Sequence, residues 1–171
     1  MKRISVLIAV VLILTGGACF ALTSTQQSLF TVTVSSVFEL SIDQGVIDFG
    51  RMKPGEVKWN IPPSGVTVTA RTNNGRPWYV KVNAATPFSF GSLMIPYSRF
   101  IWTGWTDGAG KWYGTGNNIM TPTPSLVYSS AVGEENNLPN GTVNHFKFKL
   151  SVPENQAPGV YTTTVKFTMT E

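Results

Sequence analysis

The sequence is poor in the residues that carry most chemistry. It holds one cysteine, Cys19, and one histidine, His145. A single cysteine excludes an intramolecular disulfide, and a chain that loses Cys19 on export has neither a thiol nucleophile nor a cysteine-based zinc site. A serine triad would need His145 as its base, and no Gly-x-Ser-x-Gly elbow is present. His145 falls on the polar side of an alternating segment, which suits an exposed, inert histidine. The carboxylates are nine: Glu39, Asp43, Asp48, Glu56, Asp107, Glu134, Glu135, Glu154 and Glu171. A glycosidase needs two of them across one cleft at about 5–9.5 Å, but most stand at turns or segment ends, the usual places for solvated charge. Asp107-Gly108-Ala109-Gly110 starts like a calcium loop but lacks the further acidic ligands. These absences argue against an enzyme and give no ground for a catalytic residue, a cofactor or a metal.

Long apolar runs are also missing. The one strong run, residues 4–14, is broken only by Ser5 and is well short of the roughly 20 residues that span a bilayer. Lys2 and Arg3 precede it, and Thr15, Gly16, Gly17 and Ala18 follow. That is the layout of a secretory signal. Residues 1–21 are therefore read as a signal peptide cleaved after Ala21. The competing option is a lipoprotein-like box at residues 16–19, with Cys19 lipidated. Either way the location is extracytoplasmic, and contact with a membrane comes only through this leader. Cleavage leaves about 150 residues, enough to hold a core without covalent staples. The formal charge of +4 falls to about +2 when Lys2 and Arg3 leave, so a nucleic-acid partner gains little support.

What remains reads as β-structure from end to end. Phe146, Phe148, Leu150 and Val152 alternate with His145, Lys147, Lys149 and Ser151. Val66, Val68 and Ala70 alternate with threonines and Arg71. Trp78, Val80, Val82 and Ala84 alternate with Tyr79, Lys81 and Asn83. Tyr161, Val165, Phe167 and Met169 share one parity near the end, and Phe30, Val32, Val34, Phe38, Leu40 and Ile42 do so near the start. Period two marks half-buried strands, and no window sustains a period of 3.6. Turn residues punctuate the chain at Pro54-Gly55, Pro62-Pro63-Ser64-Gly65, Asn73-Asn74-Gly75, Asn140-Gly141 and Pro158-Gly159. The expected fold is all-β, an immunoglobulin-like Greek-key β-sandwich in a single domain over residues 36–171. Residues 22–35 are an N-terminal extension or a first strand. The predicted core is Val68, Trp78, Val80, Val82, Phe146, Phe148, Leu150, Tyr161, Val165 and Phe167.

Two features stand apart. Residues 104–124 are rich in Gly, Asn, Thr and Pro and read as a long loop or irregular hairpin. Trp105, Trp112 and Tyr113 lie on it, with Trp102 just before. Such rings can stack on sugars, or they can fold back as a lid over the sandwich, the commoner fate of large aromatics. Tyr161 follows the turn Gln156-Ala157-Pro158-Gly159, where it is placed to hydrogen-bond back across a Greek-key corner.

Ile47-Asp48-Phe49-Gly50, then Pro54-Gly55, then the alternating strand from Val66, and finally Pro158-Gly159-Val160-Tyr161 with its following strand make a layout that resembles the spore coat protein U family, the subunits of archaic chaperone–usher pili. The likeness spans most of residues 28–171, without the family's usual cysteines and with Thr163 where an Asp is common. It implies an extracytoplasmic structural role, self-association or contact with other surface subunits, and a periplasmic chaperone and usher as partners. The sequence then predicts a sandwich lacking its last strand, because one strand follows Tyr161. Phe30, Val32 and Val34 are the candidate donor strand that fills a neighbour's groove. The alternative is a carbohydrate-binding module that takes a glycan on Trp105, Trp112 and Tyr113.

Overall fold

The structure, a computed structural model, describes residues 26–60 and 65–171. The signal assigned to residues 1–21, including Cys19, lies outside the described residues. The chain divides into two units, Met1–Val34 and Ser35–Glu171. In the first, residues 26–34 carry no regular secondary structure, and Phe30, Val32 and Val34 are 90%, 83% and 77% exposed. The expected shared strand from Phe30 to Ile42 therefore forms only in its second part.

The second unit is an all-β sandwich. Its strands are β1 (Phe38–Ile42), β2 (Val57–Trp59), β3 (Val66–Thr72), β4 (Tyr79–Ala84), β5 (Phe88–Phe90), β6 (Leu93–Ile95), β7 (Phe100–Thr106), β8 (Lys111–Trp112), β9 (Asn118–Ile119), β10 (Ser125–Ser129), β11 (Thr142–Ser151) and β12 (Val165–Thr170). One sheet runs β1-β3-β11-β7-β9, with β2 also paired to β11. The other runs β12-β4-β10-β8, and β5-β6 is a small hairpin. Every pairing is antiparallel. The orders β1-β3-β11-β7 and β12-β4-β10 match the two sheets of an immunoglobulin-type sandwich in which, among the described residues, no strand lies beside the outer edge of β12.

Alternation decides the core. On β11 the residues Thr142, Asn144, Phe146, Phe148 and Leu150 are buried, and each neighbour between them is half-exposed. β3 follows the same rule, burying Val66, Val68, Ala70 and Thr72. From the opposite sheet come Trp78, Val80, Val82, Ala84, Val127 and Tyr128. Phe146 touches Trp102, Trp112 and Phe167, bringing both sheets onto one ring. Of the predicted core, the members on or beside β3, β4 and β11 are buried, whereas Tyr161, Val165 and Phe167 are only half-buried. Val165 and Phe167 lie on β12, an edge with no further neighbour among the described residues, and Tyr161 lies in the segment leading to it.

A polar knot closes one end. The Glu134 carboxylate accepts hydrogen bonds from Ala109 N–H, Ala131 N–H, Thr142 Oγ1 and the Tyr128 hydroxyl. Tyr128 Oη in turn accepts from Gly110 N–H at 2.8 Å. The residues that suggested a calcium loop thus supply backbone donors to a protein carboxylate.

Two outcomes check this fold. Phe148→Ala should lower unfolding free energy by about 3–5 kcal/mol, while Lys147→Ala on the outer face should cost about 0.5 kcal/mol, both read by urea denaturation. Burial, then the hydrogen bond to Glu134, raises the Tyr128 pKa above its ordinary value of about 10. A raised folded pKa gives stability that is whole below pH 10 and declines as pH rises above it. Tyr128→Phe should therefore flatten the alkaline fall in thermal midpoint that the native chain shows above pH 10.

Candidate functional site

The seam between β1 and β12 opens at its Ile42 and Val165 end. Among the described residues both strands are sheet edges: β1 pairs with β3 alone, and β12 with β4 alone. Their inward residues are incompletely covered. Phe38 and Ile42 are exposed and Leu40 is half-buried, against fully buried partners on β3. Val165, Phe167 and Met169 are half-buried opposite Ala84, Val82 and Val80, which are fully buried. Beneath the seam runs an open groove of about 1210 Å³. Its floor is apolar: Val66, Phe88, Ile95, Phe100, Phe148 and Leu150. Phe49, Phe88, Phe100 and Phe148 form a chain of aromatic contacts along it, at centroid distances of 6.2, 5.0 and 5.6 Å.

Each bank is fixed by local chemistry. One bank is the segment after β1. Asp43 Oδ1 accepts from Thr67 N–H at 2.7 Å, and Asp48 Oδ1 accepts from Gly50 N–H at 2.7 Å. Gly50 has φ of +66°, a value that suits glycine. This tight turn sends Phe49 onto Phe88 while Asp48 stays at the surface, which gives the Ile47-Asp48-Phe49-Gly50 sequence a physical reason. Lys58 Nζ donates to Arg51 O at 2.6 Å and holds the segment down.

The other bank is the Tyr161 corner. The Tyr161 hydroxyl donates to Ala157 O at 2.8 Å and accepts from Gln156 Nε2 at 2.7 Å. A Cβ on Gly159 would come within 2.3 Å of the Phe90 ring, so a larger residue there would displace that ring. The corner expected from sequence forms, and it rigidifies the approach to β12. Residues 162–164 continue that approach with a single bridge, Thr162 to Ser89.

The three aromatics grouped by sequence are separated in space. Trp112 turns inward against Trp102 and Phe146. Trp105 faces outward from β7, stacked on His145 at 4.6 Å and 15°. Tyr113 is exposed beside Lys111, whose Nζ lies 4.8 Å from its ring centroid. The expected loop is also partly strand, since β7, β8 and β9 fall in or beside it. Trp102 and Trp112 thus serve as core, and no shared platform of Trp105, Trp112 and Tyr113 exists. Sequence reasoning missed Trp59, exposed on β2 opposite Lys149; its only signal was a short alternation from Val57.

His145 Nε2 lies 2.9 Å from Asp107 Oδ2 at one end of the outer face. Among the described residues no three His, Cys, Asp or Glu side chains cluster as a metal site, and no helix is long and apolar enough to cross a membrane. No family model matches the sequence, and no curated protein matches it. Among solved structures, a family 123 glycoside hydrolase from Clostridium perfringens, studied for glycolipid glycan hydrolysis, is similar at a TM-score of 0.38 and 12% identity. That likeness covers 78% of this chain, which spans about a quarter of the hydrolase, 24%. At that score it carries no argument about function.

The corner is testable by itself. Tyr161→Phe keeps the ring and removes two hydrogen bonds, so it should cost about 1–2 kcal/mol in denaturant unfolding. Gln156→Ala should cost less, because the bond to Ala157 O survives.

Proposed function

We propose that this chain is an exported, non-catalytic structural or adhesive surface subunit that assembles by taking a β-strand from another copy into its seam. The observation that carries this reading is the burial mismatch across the seam. Inward residues of β1 and β12 are half-covered, while their partners one strand further in are fully covered. Such a sandwich leaves two rows of backbone donors and acceptors and the inward side chains of both edge strands partly facing solvent, an arrangement native proteins normally cap. One added strand between β1 and β12 would pair with a free edge and cover Phe88, Val165 and Phe167, which are half-buried here.

The proposed donor is the segment around Phe30, Val32 and Val34. Its three large side chains share one parity, stand almost fully exposed, and sit on backbone without ladder partners in this structure. Alternate side chains of an inserted strand enter successive pockets, and main-chain hydrogen bonds supply the rest of the affinity. The second unit anchors its own start firmly: Asn73 Oδ1 accepts from Val37 N–H at 2.7 Å, and its Nδ2 donates to Ser35 O at 3.0 Å. This reading agrees with the resemblance to the spore coat protein U family, and with it come an extracytoplasmic location and a chaperone and usher as partners.

Deletion of residues 22–34 tests the reading. The shortened chain should aggregate or melt early, and a synthetic peptide of those residues should restore a cooperative transition. A peptide with Phe30, Val32 and Val34 changed to Ser should fail to do so. The full mature chain should form linear oligomers that persist on heating in mild detergent. A full-length chain that stays monomeric at millimolar concentration, with residues 28–34 docked in its own seam, would overturn the proposal.

A further inference from the structure

The outer face of the six-stranded sheet carries a second set of exposed groups, remote in character from the seam. Trp105 on β7 lies opposite His145, and Trp59 on β2 lies opposite Lys149, so the two rings flank β11 on its two sides. They are 41% and 43% exposed, although tryptophan is usually well covered. Between them on the same face stand Lys147 and Lys149. Lys147 Nζ lies 5.1 Å from the Trp105 ring centroid, and Lys149 Nζ lies 5.5 Å from that of Trp59. Strand geometry spaces the two ammonium-bearing residues at about 7 Å and sets the two tryptophans roughly 16 Å apart on a diagonal.

Among the described residues, neither lysine has a carboxylate within 4 Å. The acids at the rim of this face are already engaged: Glu39 pairs with Arg71 at 3.8 Å, and Asp107 with His145 at 2.9 Å. The track therefore reads aromatic, cation, cation, aromatic, with no counter-charge of its own.

We infer that this face is a binding site for an acidic polysaccharide, with apolar sugar faces resting against Trp105 and Trp59 and uronate carboxylates meeting Lys147 and Lys149. The chemistry selects this partner over two others. Nucleic acid carries dense charge and is held by many cations rather than two. A membrane surface favours apolar groups that protrude with basic residues around them. Here the cations are central, and the Trp105 ring lies against His145 on a strand-flat face. Carboxylates spaced along a chain of pyranose rings match both components, since a ring face stacks on an aromatic while the charge meets the ammonium beside it. The inference is independent of strand addition, because none of these four side chains lines the seam.

The test is affinity electrophoresis of the mature chain through gels containing polygalacturonate, with neutral dextran as the matched gel. Retardation by polygalacturonate alone is expected, and it should weaken as salt rises. Lys147→Gln with Lys149→Gln, and separately Trp59→Ala with Trp105→Ala, should each weaken it at least about tenfold. Lys81→Gln with Lys111→Gln removes equal charge from the other sheet and should leave it unchanged. Near-ultraviolet circular dichroism keeps misfolded variants out of the comparison, and Trp105→Phe, which preserves a ring, should keep most of the binding. The inference falls if polygalacturonate does not retard the chain. It also falls if the control pair weakens retardation as much as the Lys147 and Lys149 pair, or if the tryptophan variants bind fully. Binding to anionic phosphatidylglycerol vesicles or duplex DNA as tight as to polygalacturonate would mark a general anion surface and would likewise overturn it.

Discussion

Strand β11 is the member on which the rest of the molecule depends. It pairs with β2, β3 and β7, so three segments take their register from its ten residues. Its inward row places Phe146 and Phe148 where the two sheets meet. Its outward row places His145, Lys147 and Lys149 on the open face. Because the side-chain period is two, a slip of one residue would exchange these rows and put three basic or imidazole groups into the core. The cost of that exchange fixes the register of β3, β2 and β7 together, and with them the positions of Trp59 and Trp105.

The seam is the other side of the same economy. A sandwich of this size covers its interior strands completely, with Val68, Ala70, Val80 and Ala84 each at 0% exposure. At β1 and β12 the covering stops. The Asp48–Gly50 turn on one bank and the Tyr161 corner on the other hold the gap to a fixed shape. A groove built by such specific local bonds is preorganised, and preorganisation lowers the entropic cost of binding in it. Loose banks would collapse onto Phe88 and Phe100 instead.

The tryptophans show how close neighbours come to different fates. Trp102 and Trp105 lie on one strand, three residues apart, so a period of two sends them to opposite faces. Trp102 joins Trp112 and Phe146 in the interior, while Trp105 is left on the surface against a histidine and a lysine. Composition placed four aromatics in one stretch, but parity and the pairing of β8 beside β10 distributed them.

The all-β class, the parity of β3, β4 and β11, and the Tyr161 corner were legible in the residues alone. Each rests on a local rule, since alternation and turn chemistry act over a few positions and leave a direct mark on the sequence. Other features were decided only by the fold. Trp59 and Lys149 are ninety residues apart and meet because both pair through β11. Val165 and Phe167 carry the same alternating pattern as Phe146 and Phe148, yet they are half-covered, because burial depends on whether a strand lies alongside. The difference between core and sheet edge is therefore invisible to any period read along the chain. It is set by which edges the two sheets leave without a neighbour, and that is a property of tertiary structure.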